Sequence, residues 1–166
     1  METKVNLLDL AMDLELKSIE LYQNLSNQTL VKELTSVFQF LAAEEKSHYE
    51  ILRTWRENAD SPDLEFMPFI PDLEKVFQKL SEHFRAYGIP ATHYYNAFEK
   101  ARIFEKNSLE FYEDLLEKIE EGRKVLLMKI IDQEKQHAEF LTNMLEFLRY
   151  PGEWLENAEW YHLEEY

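Results

Sequence analysis

Glu45-Lys46-Ser47-His48 and Glu134-Lys135-Gln136-His137 stand 89 residues apart, and each sets a glutamate three positions ahead of a histidine. On a helix, residues i and i+3 lie on one face a turn apart, so each pair presents a carboxylate and an imidazole in the same direction. A second motif repeats beside the first: Glu15-x-x-Ser18-x-x-x-Tyr22 recurs as Glu105-x-x-Ser108-x-x-x-Tyr112, 90 residues on. Nearly equal offsets mean that one unit, a helix bearing a glutamate followed by a helix bearing Glu-x-x-His, has been used twice.

Outward from these motifs, the chain reads as four long helices, expected at about 5–28, 30–58 and 90–120, with a fourth running from a turn at Gly122 to the stop at Tyr150-Pro151-Gly152. Each has one face in steps of three and four that should turn inward. Those faces are Leu8, Ala11, Glu15, Ser18, Tyr22, Leu25; Leu34, Phe38, Leu41, Glu45, His48, Leu52, Trp55; Phe98, Ala101, Glu105, Ser108, Tyr112, Leu115; and Leu127, Ile130, Glu134, His137, Leu141, Leu148. Every apolar seam is broken near its middle by a glutamate.

Short turns within each pair of helices predict two antiparallel hairpins. The long segment between them, about 59–89, carries Pro62, Pro68 and Pro71 and contains a shorter helix over 72–85. Two hairpins joined by one long crossover is the connectivity of the ferritin-like all-α four-helix bundles, here filling residues 1–150. The remaining residues, 151–166, form an aromatic, acidic tail expected to make a small helix that caps the bundle or meets a partner chain.

Composition narrows the chemistry. The chain has 166 residues, no cysteine and a formal charge of −15. The charge excludes nucleic acid as a partner, since a phosphate backbone would be repelled. No apolar run is long enough to span a bilayer and the N-terminus lacks the features of a signal peptide, so a cytoplasmic protein is expected. Without thiolates, a metal must be held by carboxylate and imidazole, which suits iron, manganese or zinc.

Four inward glutamates would repel one another and lose their hydration, at a cost of several kcal/mol per ion. Two divalent cations balance four carboxylates, with both imidazoles neutral, and the site closes at zero net charge. Glu15, Glu45, His48, Glu105, Glu134 and His137 are therefore the candidate metal ligands. A lone Glu-x-x-His is weak evidence, and Glu159-x-x-His162 in the tail reads as accidental. A single inward glutamate would equally suit a protonated or salt-bridged core residue; four in register with two histidines do not. Tyr22 and Tyr112, two turns beyond the helix-one and helix-three glutamates, suit hydrogen bonding to a ligand carboxylate or electron transfer, and equally a core tyrosine with a satisfied hydroxyl. Ser18 and Ser108 read as small packing residues beside the metals. Glu20, Glu44 and Glu110 are expected to point off the seam, and His83 and His93 to be solvated.

The order Glu, Glu-x-x-His, Glu, Glu-x-x-His resembles the rubrerythrin-like branch of the ferritin-like superfamily, over Leu7 to about Leu148. The resemblance implies two iron ions on the six residues above, with Glu45 and Glu134 bridging, and a homodimer, in some members formed by exchanging hairpins through the crossover. A full rubrerythrin carries a Cys-rich electron-delivery domain that is missing here, so the resemblance implies an external donor such as a rubredoxin-like protein. It also usually has a further glutamate one turn after the third-helix ligand, where this chain has Ser108; the six remaining ligands look more like the set of bacterioferritin. The functional expectation is an oxidoreductase acting on O2 or hydrogen peroxide. The alternatives are Fe(II) oxidation for storage or delivery, and a redox-silent metal-binding interaction module that uses the tail.

Overall fold

The computed structural model describes residues 6–59 and 71–150. The start of the first expected helix at Val5, the prolines Pro62 and Pro68, and the tail with its Glu159-x-x-His162 lie outside the described residues. Within them the chain is helical, with no strands: α1 (Leu7–Gln28), α2 (Lys32–Arg56), α3 (Leu73–Tyr87), a 3-10 turn at Ala91–Tyr94, α4 (Tyr95–Lys118) and α5 (Glu121–Arg149).

Local chemistry sets the helix ends. The side chain of Asn6 accepts from the N–H of Leu8 at 2.9 Å, satisfying one of the free donors that open α1. The link to α2 is short, and Thr35 Oγ1 donates back to the carbonyl of Val31 at 3.1 Å. Asp72 caps α3 by accepting from the N–H of Lys75 at 3.1 Å. Gly88 closes that helix in the left-handed region, at φ 63°, letting the N–H of Ile89 reach the carbonyl of Phe84 at 3.2 Å. A side chain at position 88 would strain this turn.

Two sequence expectations change here. The third long helix does not run continuously from Pro90: Pro90 is extended and the next four residues wind as a 3-10 turn, with the N–H of His93 on the carbonyl of Pro90 at 2.9 Å. Tight winding at a helix start is common where proline sets the entry. Gly122 does not form the turn between the last two helices. Ile119 and Glu120 do, both extended, and Gly122 sits inside the first turn of α5.

The core is in two parts. One cluster joins Tyr22 and Leu25 of α1, Leu34, Phe38 and Leu41 of α2, Phe98 and Ala101 of α4, and Leu141 to Leu148 of α5. The other joins Ala11, Ile51, Leu52, Trp55, Tyr112, Leu115, Leu127, Ile130 and Ile131. Each cluster takes the first half of two helices and the second half of the other two. The helices therefore run up, down, down and up, and the crossover must travel the length of the bundle. α3 belongs to that crossover and adds Val76, Phe77, Leu80 and Phe84 to the first cluster. The Phe77 ring stacks on Phe147 at 4.3 Å between centroids, nearly parallel. His83 is buried against the rings of Phe84 and Tyr87 rather than solvated; the apolar face of α3 is wide enough to include it. His93 is exposed, as its sequence context implies.

Because Phe77 is fully buried and far in sequence from the motif residues, Phe77→Ala is expected to cost about 3–5 kcal/mol of stability. Urea denaturation would measure it, and the metal stoichiometry of the folded variant should stay unchanged.

Candidate metal centre

Between the two apolar clusters lies one polar layer. The seams deliver Glu15 from α1, Glu45 and His48 from α2, Glu105 from α4, and Glu134 and His137 from α5, all at most 1 % exposed. Ligand atoms of Glu15, Glu45, His48 and Glu134 lie within 4.8 Å of one another, as do those of Glu45, Glu105, Glu134 and His137. The two quartets overlap in Glu45 and Glu134. Each helix–helix hairpin thus supplies one terminal glutamate, one histidine and one glutamate common to both quartets.

Both imidazoles point Nδ1 inward. His48 Nδ1 is 2.9 Å from Glu134, 3.3 Å from Glu45 and 3.7 Å from Glu15. His137 Nδ1 is 2.8 Å from Glu45. The outer nitrogens are held from behind: His48 Nε2 meets Gln133 Oε1 at 2.6 Å, and His137 Nε2 meets Glu44 Oε2 at 2.7 Å. Gln133 Nε2 in turn donates to Glu44 Oε1 at 3.0 Å. The chain is self-consistent only if each histidine donates from Nε2, because a flipped Gln133 would set its carbonyl against a carboxylate. With Nε2–H engaged outward, the proton that a bound cation would displace is the one on Nδ1, and its loss turns a lone pair toward the centre, as metal ligation requires.

Glu44 is a correction to the sequence reading. It is buried, at 8 % exposure, and holds the histidine of the other hairpin. One residue before the seam position places it on the flank of α2 that faces α5, not on the solvent face. Gln133 stands in the equivalent place in the second hairpin, also buried. The 89-residue offset that relates Glu45 to Glu134 also relates Glu44 to Gln133. Extending the repeat by one position would have found both.

The tyrosines also cross between hairpins. Tyr112 of α4 donates a short hydrogen bond to Glu15 Oε1 of α1. Its counterpart Tyr22 of α1 is fully buried, with its hydroxyl toward Glu105 of α4. Burial and the neighbouring carboxylates, Glu105 for Tyr22 and Glu15 for Tyr112, raise both phenols well above the ordinary value and keep them protonated. Ser18 and Ser108 are buried on the same seams, one turn from Glu15 and Glu105.

Among the described residues, seven carboxylate oxygens in this layer make no hydrogen bond beyond the imidazole ion pairs: Glu15 Oε2 and both oxygens of Glu45, Glu105 and Glu134. Buried acceptors are almost always satisfied. Here donors other than the imidazoles are missing where the oxygens converge, and cations fit that arrangement. The metal-free electrostatics agree. Burial and the charge of Glu45 push Glu15 up to about 8. Burial with Glu134 and Glu45 raises Glu105, and burial with Glu45 raises Glu134. Burial also acts to raise Glu45, but the attraction of His137 and His48 outweighs it and holds that carboxyl below its usual range. The histidines are opposed by burial yet raised overall, His48 by Glu134, Glu15 and Glu45, and His137 by Glu45 and Glu44.

A two-hairpin helical bundle with carboxylate and imidazole groups in its middle layer defines the ferritin-like metal-binding class. The sequence model of the rubrerythrin family matches residues 6–145, most of the chain. The protein belongs to the rubrerythrin family. No curated protein and no solved structure matched the chain. No helix among the described residues is long and apolar enough to cross a membrane.

The raised groups give a signed pH dependence. Glu15, Glu105, Glu134 and both histidines bind protons more tightly folded than unfolded. Their stabilisation is complete below the unfolded values and is lost as pH rises through the folded ones; Glu45 acts in the opposite sense, only in acid. Metal-free protein is therefore expected to melt at progressively lower temperature from about pH 5 to about pH 9. Divalent metal should remove that decline, with apparent affinity rising over the same interval because binding displaces protons. Calorimetric melts with and without metal would check both.

Proposed function

We propose that the centre holds two iron ions and that the protein is a non-haem di-iron oxidoreductase reducing hydrogen peroxide or O2. The observation that carries this reading is the pair of overlapping quartets with common members Glu45 and Glu134. Glu15, Glu45, His48 and Glu134 would hold one ion, and Glu45, Glu105, Glu134 and His137 the other. When bound, a ferrous pair supplies two electrons to an O–O bond; manganese and zinc are alternative occupants of the same donor set.

The protein's own residues have four tasks. Four carboxylates would neutralise two divalent charges, and Glu45 and Glu134, common to both quartets, would serve either ion. Gln133 and Glu44 hold the imidazoles in the ligating tautomer. Phe38, Phe98, Ile51 and Ile130 are buried in the apolar clusters flanking the layer and restrict water there. Tyr112 holds a proton against Glu15 and is placed for proton or electron exchange with that carboxylate. With no cysteine in the chain, the electrons that restore the reduced state must come from an external donor such as a rubredoxin-like protein.

One observation favours a second reading. Ser108, buried one turn beyond Glu105, leaves only six ligands where full rubrerythrins usually offer a further carboxylate. Six ligands suit Fe(II) oxidation for storage or delivery, with iron as substrate.

Anaerobic Fe(II) titration of metal-free protein is expected to saturate at about two ions per chain. Mixing with peroxide or O2 while recording the near-ultraviolet spectrum then identifies the oxidant, the faster peroxide reaction favouring the first reading. Glu134→Ala should abolish peroxide turnover; a variant that turns over normally would remove the oxidoreductase assignment.

A further inference from the structure

The two halves of the centre carry the same ligand types, so any inequality between them must come from what stands behind the ligands. One difference stands out there. Behind His137 is the carboxylate of Glu44, at 2.7 Å, whereas behind His48 is the neutral amide of Gln133, at 2.6 Å.

A carboxylate accepting from Nε2–H pushes electron density through the ring and makes Nδ1 a stronger donor than an amide does. The His48 half has the amide and the His137 half the carboxylate.

We infer that Glu44 and Gln133 are positioning residues that make the two metal positions unequal, so that the His137 half takes the first divalent cation and binds it more tightly. This rests on the reading of the layer as a two-metal centre. The bond between Gln133 Nε2 and Glu44 Oε1 ties the two devices together. The amide keeps Glu44 oriented toward His137 and, through the same contact, fixes its own carbonyl on His48.

The test uses near-isosteric exchanges that alter charge and leave shape almost unchanged. Metal-free protein is titrated anaerobically with Co(II), read by calorimetry and by the visible absorption of the bound ion. The parent protein should bind two ions in separate steps. Glu44→Gln should weaken the first step by about 10-fold or more and bring the steps together. Gln133→Glu sets a second carboxylate against Glu44 where the amide now stands at 3.0 Å; the two must share a proton, so the halves become alike and the steps should again draw together. The double exchange restores the amide–carboxylate bond with its direction reversed, and should return separated steps in which the His48 half fills first, shown by the contact-shifted imidazole N–H signal at one equivalent of Co(II); a merely structural pair would recover the steps without exchanging the sites. Two bound ions whose steps ignore both single exchanges, in variants with parental helicity, would overturn this inference and leave the metal centre standing. Failure of the parent protein to bind Co(II) at all would overturn the two-metal reading, and the inference with it.

Discussion

Four carboxylates forced into one dry layer are the constraint on which this structure depends. Among the described residues only the two imidazoles approach the seven unsatisfied oxygens, and they offset only part of the charge. Without cations the layer must keep protons on groups that would shed them in water. With two divalent cations it balances. The helices must therefore be held firmly enough to keep the carboxylates together before any ion arrives, and the two apolar clusters do this from either side.

That division explains the rest of the architecture. Each cluster draws on all four long helices, so neither hairpin can move away without opening both. The contacts nearest the layer cross between hairpins: Tyr112 reaches Glu15, Glu44 reaches His137, and Gln133 reaches His48. Each hairpin thus completes the other's ligand geometry. The crossover helix α3 packs on one cluster and leaves the layer untouched, which places the crossover's tolerance to change away from the chemistry.

Much of this was legible in the sequence because helical periodicity and ligand spacing are both local. Glu45 and His48 lie one turn apart whatever the tertiary fold, and the repeat supplied the pairing that single motifs lack. Other features were hidden because they depend on a neighbour. Glu44 sits one residue off its seam, and only the approach of α5 makes that flank an interior. Tyr112 could be placed near a glutamate from spacing, but the one it bonds belongs to α1, and α4 does not predict it. The start of α4 was misplaced for a different reason. Pro90 permits a helix start without specifying whether the next turn is α or 3-10.

The Glu44 and Gln133 pair has a consequence for symmetry. Two separate copies of one hairpin, associated about a two-fold axis, would have to present the same residue behind both histidines. Any gain at one would be imposed on the other. Joining the copies in a single chain lifts that rule: position 44 can be acidic while position 133 is neutral, at the cost of a crossover long enough to span the bundle. Covalent fusion thus does more than fix the stoichiometry of the halves. It gives each half a separate identity, and only then can one be tuned without its twin.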